Sequence, residues 1–186
     1  MYLKSFKQQV VSITISGKNF SKVFLLAMFL TGCGDNAEEA AFRASLVDKA
    51  LNDDNSKLGE RFLQENRLKE NVVQTKSGLQ YVVLSSGSGA QPKIQDKVEV
   101  HYEGRLVNGD VFDSSYKRAK TSVFPIRGVI AGWRQVLLQM KAGDHWQVFI
   151  PAKLAYGATS PSLGIAANST LIFDIKLIAV IGEKSE

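Results

Sequence analysis

Residues Val98–Ser115 read VEVHYEGRLVNGDVFDSS, and the first half of that stretch has a period of two. Val98, Val100 and Tyr102 fall on one side of an extended chain while Glu99, His101 and Glu103 fall on the other, the alternation of a half-buried strand. Trp146, Val148 and Ile150 repeat the pattern downstream, and so do Leu171, Phe173, Ile175 and Leu177. Between these runs Trp133, Leu137 and Met140 share one side of a helix that Gly143 is placed to end. Strands in excess around one helix predict an α+β domain, in which an antiparallel sheet curls around the helix to bury its apolar face.

Before this region the period changes. Residues 34–75 are polar, alanine-bearing and free of proline. Asp35 and Glu38 have capping-box spacing, and Phe42, Leu46 and Ala50 recur at helical spacing, which predicts a short amphipathic helix. Asn52-Asp53-Asp54-Asn55 is expected to break it, and a second short helix carrying Leu58, Phe62 and Leu63 to run to about Glu70. The acidic cluster has neither the glycine nor the distal glutamate of a calcium loop, so it reads as a linker.

A chain of 186 residues with 45% hydrophobic content can bury one core and a small appendage. Its formal charge of +5 suggests a polyanionic partner at first sight. Lys4, Lys7, Lys18 and Lys22 stand in the first 32 residues with no acid, however, and the remainder carries 19 basic against 18 acidic residues. No basic stripe is left for a nucleic acid. The leader accounts for its own composition: basic residues, the apolar run Val23–Leu30, then Leu30-Thr31-Gly32-Cys33. That run is well short of the roughly 20 residues a spanning helix needs and reads as a signal-peptide core.

LTGC resembles a bacterial lipobox, a class in which the leader is cleaved before the cysteine and the cysteine is acylated. Cys33 is the only cysteine, so the chain holds no disulfide partner for it. Acyl chains anchor by burying methylenes, about 0.8 kcal/mol each. The resemblance implies three parts: residues 1–32 as signal peptide, 33–75 as a helical segment after lipidated Cys33, and 76–186 as the working domain facing the periplasm. Gly34, with Asp35 only after it, favours the outer membrane. The long basic stretch before the apolar run leaves a later translation start open.

Five motifs after Leu79 fix a family resemblance. VHY with Gly104 and Leu106, FDSS at Phe112–Ser115, VI-GW at Val129–Trp133, AYG at Ala155–Gly157 and TL-FD-L at Thr170–Leu177 follow in unbroken order to Val180. Together they resemble the FKBP-type peptidylprolyl cis/trans isomerases, immunophilins that bind macrolides. The stretch FLQENRLKENVVQTKSGLQY resembles the entry to the isomerase domain in bacterial Mip-like and FkpA-like members. Those members dimerise through a longer helical region than this chain has, so monomer and dimer both stay open.

The resemblance implies that Tyr102, Phe112, Val129, Ile130, Trp133, Tyr156, Ile165 and Phe173 line a pocket whose floor is Trp133. It implies that Asp113 is the pocket carboxylate, bonded to Tyr102 and paired with Arg118. Tyr156 would bond one substrate carbonyl and the Ile130 N–H another. Each of these has a plainer reading, since Phe112, Val129 and Phe173 would suit any core and Asp113 could cap a turn. Three departures bear on substrate handling. Ser122 stands where some members carry a pocket-edge aromatic, which thins the wall against macrolide inhibitors. The loop 159–168 has no histidine at its tip, and Ala166-Ala167 replaces a common Pro-Pro pair, which predicts a looser loop.

The chemistry suits a chain without a nucleophile motif, metal cluster, phosphate loop or cofactor signature. His101 and His145 are far apart, and His101 points away from Tyr102. Prolyl rotation has a barrier of about 18–20 kcal/mol because it destroys amide resonance, yet no covalent bond changes. The twisted amide is less dipolar than the planar one, so a dry aromatic pocket binds it preferentially. The expected partners are proline-containing client polypeptides, with apolar residues before proline preferred. A competing reading is a lipid-anchored chaperone that grips proline segments without turnover.

Overall fold

A computed structural model describes residues 37–162 and 164–182. The leader, Cys33 and Asp35 lie outside the described residues. Seven strands, β1 (Val73–Gln74), β2 (Gln80–Ser85), β3 (Lys97–Leu106), β4 (Val111–Ser114), β5 (Ser122–Pro125), β6 (His145–Ile150) and β7 (Leu171–Ile181), form one sheet. Their order is β1-β2-β6-β7-β3-β4, β5 pairs with β3 as well, and every pairing is antiparallel. The long ladder between β3 and β7 sets Tyr102 opposite Ile175 and Gly104 opposite Phe173. The β6–β7 register sets Val148 on the other side of Phe173. The alternation read from the sequence is therefore the real one: Val98, Val100, Tyr102, Trp146, Val148, Ile150, Leu171, Phe173, Ile175 and Leu177 share one core.

Helix α2 (Ala131–Leu137) sits in the hollow of this sheet, burying Trp133, Val136 and Leu137. Each such apolar side chain contributes about 1.5–3 kcal/mol relative to exposure. The helix stops well before Gly143, contrary to the sequence expectation. Gly143 instead takes a positive φ of 97° in the turn before β6, where its N–H bonds the Leu177 carbonyl at 2.8 Å. A left-handed residue is needed at that turn, and it serves the sheet rather than the helix.

Helix α1 (Ala37–Asn66) is a further correction, because its 30 residues run without a break through Asn52–Asn55. Asn and Asp each cost only about 0.7 kcal/mol against alanine in a helix interior, and no proline is present to stop it. Its later half covers the outer face of the sheet. Phe62 meets Phe149 with ring centroids 5.8 Å apart. Asn66 Nδ2 donates to Gln80 Oε1 at 2.9 Å, and Gln80 Nε2 donates to the Leu63 carbonyl at 2.8 Å and to Gln74 Oε1 at 3.1 Å. Asn66 and Gln80 are each only 1% exposed, so these bonds satisfy groups that would otherwise cost about 1–3 kcal/mol each to bury.

Candidate active site

The site is built on the inner face of β3, β4 and β7 and the start of α2. Trp133 is in the first turn of α2, and three rings meet it nearly edge-on: Tyr102 at 5.2 Å, Phe173 at 5.2 Å and Phe124 at 5.8 Å. Phe112 extends the set by packing against Phe173 at 5.6 Å. Perpendicular pairs of this kind set the positive edge of one ring against the negative face of another and add about 0.5–1.5 kcal/mol beyond burial. Gly104 makes the arrangement possible. A Cβ there would lie 2.6 Å from the Phe112 ring and 2.7 Å from the Phe173 ring, so any side chain would push both aside.

One polar cluster closes this aromatic group. The Tyr102 hydroxyl donates to Asp113 Oδ2, and Arg118 Nη1 pairs with Asp113 Oδ1. Arg118 Nη2 donates to the Tyr102 oxygen at 3.0 Å and to Ser122 Oγ at 3.4 Å, with the guanidinium 5.7 Å from the Tyr102 ring centroid. Burial pushes the Tyr102 phenol above its ordinary value of 10.0, and donation to Asp113 adds to this against a smaller opposing pull from Arg118. Burial also works to raise Asp113, but the bonds from Tyr102 and Arg118 outweigh it and hold the carboxyl below 3.8. Asp113 is therefore a fixed anion and Tyr102 a fixed proton donor.

Ser115 holds the cluster's backbone. It is fully buried; its Oγ accepts the Tyr102 N–H at 2.8 Å and donates to the Tyr102 carbonyl at 3.1 Å, while His101 Nδ1 lies 2.9 Å away. His101 stacks on Tyr116 at 4.7 Å, on the side of the sheet away from the aromatic group.

The remaining expected residues surround the rings in different ways. Val129 and Ile130 pack partly buried against the same core, and Ile165 is buried in it. Ile130 immediately precedes α2, and its carbonyl accepts the first helical bond from Arg134 at 3.1 Å. Its N–H takes no part in the backbone bonding among the described residues. Tyr156 is 38% exposed and follows a short 3-10 turn at Ala152–Leu154.

The loop after Tyr156 is tied more closely than Ala166-Ala167 suggests. The Asn168 N–H bonds the Gly157 carbonyl at 2.7 Å, Ser160 Oγ bonds the Ile165 carbonyl at 2.6 Å and Ser169 Oγ the Ala166 carbonyl at 2.7 Å.

Sequence reasoning missed Phe124. Phe124 lies two residues beyond Ser122 on the same face of β5, but which face meets Trp133 is set by the pairing of β5 with β3. Gly104 and Ser115 were quoted within the motifs without a role. Among the described residues no group of three His, Cys, Asp or Glu side chains could hold a metal.

The chain is similar to known proteins over most of the described residues. The family model "FKBP-type peptidyl-prolyl cis-trans isomerase" matches residues 88–178, and "Domain amino terminal to FKBP-type peptidyl-prolyl isomerase" matches 27–83. The peptidyl-prolyl cis-trans isomerase Mip of Coxiella burnetii is 45% identical over 126 residues, 68% of this chain and 55% of that protein. The outer membrane protein MIP of Legionella longbeachae is 45% identical over 128 residues, 69% of this chain and 55% of that protein. The chain thus spans little more than half the length of these curated relatives. The crystal structure of FkpA from Escherichia coli superposes with a TM-score of 0.73 at 36% identity, covering 78% of this chain and 68% of that one.

Proposed function

The chain belongs to the family of FKBP-type peptidyl-prolyl cis-trans isomerases, and we propose that it accelerates rotation about Xaa-Pro bonds in folding proteins of the bacterial cell envelope. The observation that carries this reading is the group of rings around Trp133 with the Tyr102–Asp113–Arg118 cluster at its edge. The proline ring rests on Trp133 between Phe112, Phe124 and Phe173. The phenol of Tyr156 and the N–H of Ile130 hold substrate carbonyls, with Val129 and Ile165 completing the apolar wall. As the amide twists, its nitrogen keeps the lone pair and its dipole shrinks, which an apolar, water-poor surround favours over the planar form. Asp113 stays ionised throughout and shapes the field at the turning carbonyl; no proton is transferred. An apolar residue before proline fits this wall better than a charged one.

We extend the proposal to location. Residues 1–32 act as a signal peptide, Cys33 carries the lipid, residues 33–75 link it to the isomerase domain of 76–186, and the domain faces the periplasm. The Leu-Thr-Gly-Cys motif supports the anchor, and Gly34 together with the name of the Legionella relative, outer membrane protein MIP, supports the outer membrane. Among the described residues no helix is long and apolar enough to cross a membrane.

The test is exchange kinetics on matched Leu-Pro and Glu-Pro peptides, with Cys33→Ala expressed in parallel and fractionated. Catalysis faster on Leu-Pro, and release of Cys33→Ala from the membrane fraction, are the expected results. Peptide binding without acceleration would replace the isomerase with a proline-binding chaperone.

A further inference from the structure

We propose that helix α1 is a positioning element of the substrate pocket, acting through Asn55 and Gly59 on the loop that joins Tyr156 to β7. This rests on the isomerase reading and assigns two residues outside the isomerase domain proper to its substrate-binding machinery.

Two contacts carry the inference. Asn55 Nδ2 donates to the Ala167 carbonyl at 3.2 Å across 112 residues of sequence. One turn further along α1, Gly59 is buried against Thr170, and a Cβ at that position would collide with the Thr170 side chain. A glycine inside a helix costs about 1 kcal/mol against alanine, and here it permits the helix to approach the residue directly before β7. Ala167 is itself buried, and next to it the Asn168 N–H bonds the Gly157 carbonyl, adjoining Tyr156. Ile165, two residues before Ala167, is buried in the core that carries Trp133. The path from α1 to the two substrate-wall residues on this loop is therefore short: Asn55 to Ala167, and from there to Ile165 on one side and through Asn168–Gly157 to Tyr156 on the other.

The helix is firm enough to act as the reference. Its end is clamped to the sheet by the Asn66–Gln80–Leu63 bonds and by Phe62 on Phe149. Hollows flank the contact on both sides, one bordered by Gln64, Lys153 and Asn168 and the other by Leu58, Val107 and Ser169. The loop is thus held from α1 at a narrow seam, and loosening that seam frees the Tyr156 and Ile165 wall without disturbing the rings around Trp133. The effect falls on substrate affinity and on discrimination at the residue before proline, and spares the rate at saturation.

The experiment compares Asn55→Ala, Gly59→Ala and, as a control on the exposed side of the same helix, Lys57→Ala, in the full chain. Affinity for a Leu-Pro peptide and the exchange rate at saturation are measured together with amide hydrogen exchange. Asn55→Ala and Gly59→Ala are expected to weaken affinity about threefold to tenfold with the saturated rate within about twofold, and Lys57→Ala to change neither. The Asn168 amide is expected to lose about tenfold in protection while Val148 and Ile175 keep theirs. Unchanged affinity and unchanged Asn168 protection in both variants would overturn the proposal, and so would a matched fall in affinity, saturated rate and core protection, which marks general destabilisation. If the parent chain catalyses nothing, the isomerase reading fails by itself, and Asn168 protection still decides whether α1 braces the loop.

Discussion

Replacing Tyr102 by phenylalanine isolates the polar edge of the pocket. The ring stays, with its contacts to Trp133 and Phe124, so no ring-sized cavity forms and only the hydroxyl is lost. That hydroxyl donates to Asp113 and accepts from Arg118. A hydrogen bond to a charged group contributes about 1.5–3 kcal/mol when shielded. The Asp113 side chain is 40% exposed, so water replaces part of the loss and the lower figure of about 1.5 kcal/mol applies. For a domain of this size that lowers the melting temperature by about 4 °C. If some 1 kcal/mol of it holds Asp113 in place for the turning carbonyl, kcat/KM falls about fivefold. The acid limb supplies an independent check. Because Asp113 is held below 3.8 in the folded chain, its contribution is present above that pH and lost as pH falls through the folded value. The parent chain should therefore lose stability below pH 4 more steeply than Tyr102→Phe. Thermal melts from pH 2.5 to 7 and exchange kinetics on a Leu-Pro peptide read both effects. Equal melting temperatures, equal acid slopes and unchanged kcat/KM would refute the account of this cluster.

Three further outcomes follow from particular contacts. Gly104→Ala forces a methyl against Phe112 and Phe173 and should cost about 1–3 kcal/mol in denaturant unfolding, with a fall in kcat/KM larger than that of an equally destabilising change on the outer face. Gln80→Leu strands the Asn66 amide beneath α1, while the Leu63 carbonyl keeps its bond from the Arg67 N–H, and should destabilise by about 1–3 kcal/mol in urea, while a proline peptide still binds the folded fraction. Tyr102 is raised above 10.0, so its contribution holds below that pH and is lost as pH rises through the folded value; between pH 9 and 11 the parent chain should lose melting temperature faster than Tyr102→Phe.

The inner core was legible because the alternation at Val98–Tyr102, Trp146–Ile150 and Leu171–Leu177 has one physical meaning, a strand with one face buried. The outer face was less so. Val148-Phe149-Ile150 and Leu171-Ile172-Phe173 are unbroken apolar runs, the mark of strands covered on both sides, and Phe149 and Ile172 are indeed both buried. Only the whole fold shows that α1 supplies the cover at Phe149. The break expected at Asn52–Asn55 failed because turn-favouring residues carry a small penalty that flanking helix formers absorb. At the site, motif resemblance led to Tyr102, Asp113, Arg118 and Trp133, which the chain brings together, but not to Phe124, whose contribution depends on how β5 pairs with β3. Asn55 was unreadable for the same kind of reason: its partner, Ala167, lies 112 residues away.

The most direct test of the central claim is exchange spectroscopy on a Leu-Pro peptide in the presence of the isotope-labelled full chain, so that peptide exchange and protein shifts are read in one sample. The account predicts faster cis/trans exchange together with shifts at Tyr102, Phe112, Phe124, Ile130, Trp133, Tyr156 and Phe173, and both lost in proportion when Trp133 is replaced by leucine. Faster exchange with the shifts located elsewhere, or pocket shifts with the exchange rate unchanged, would contradict it.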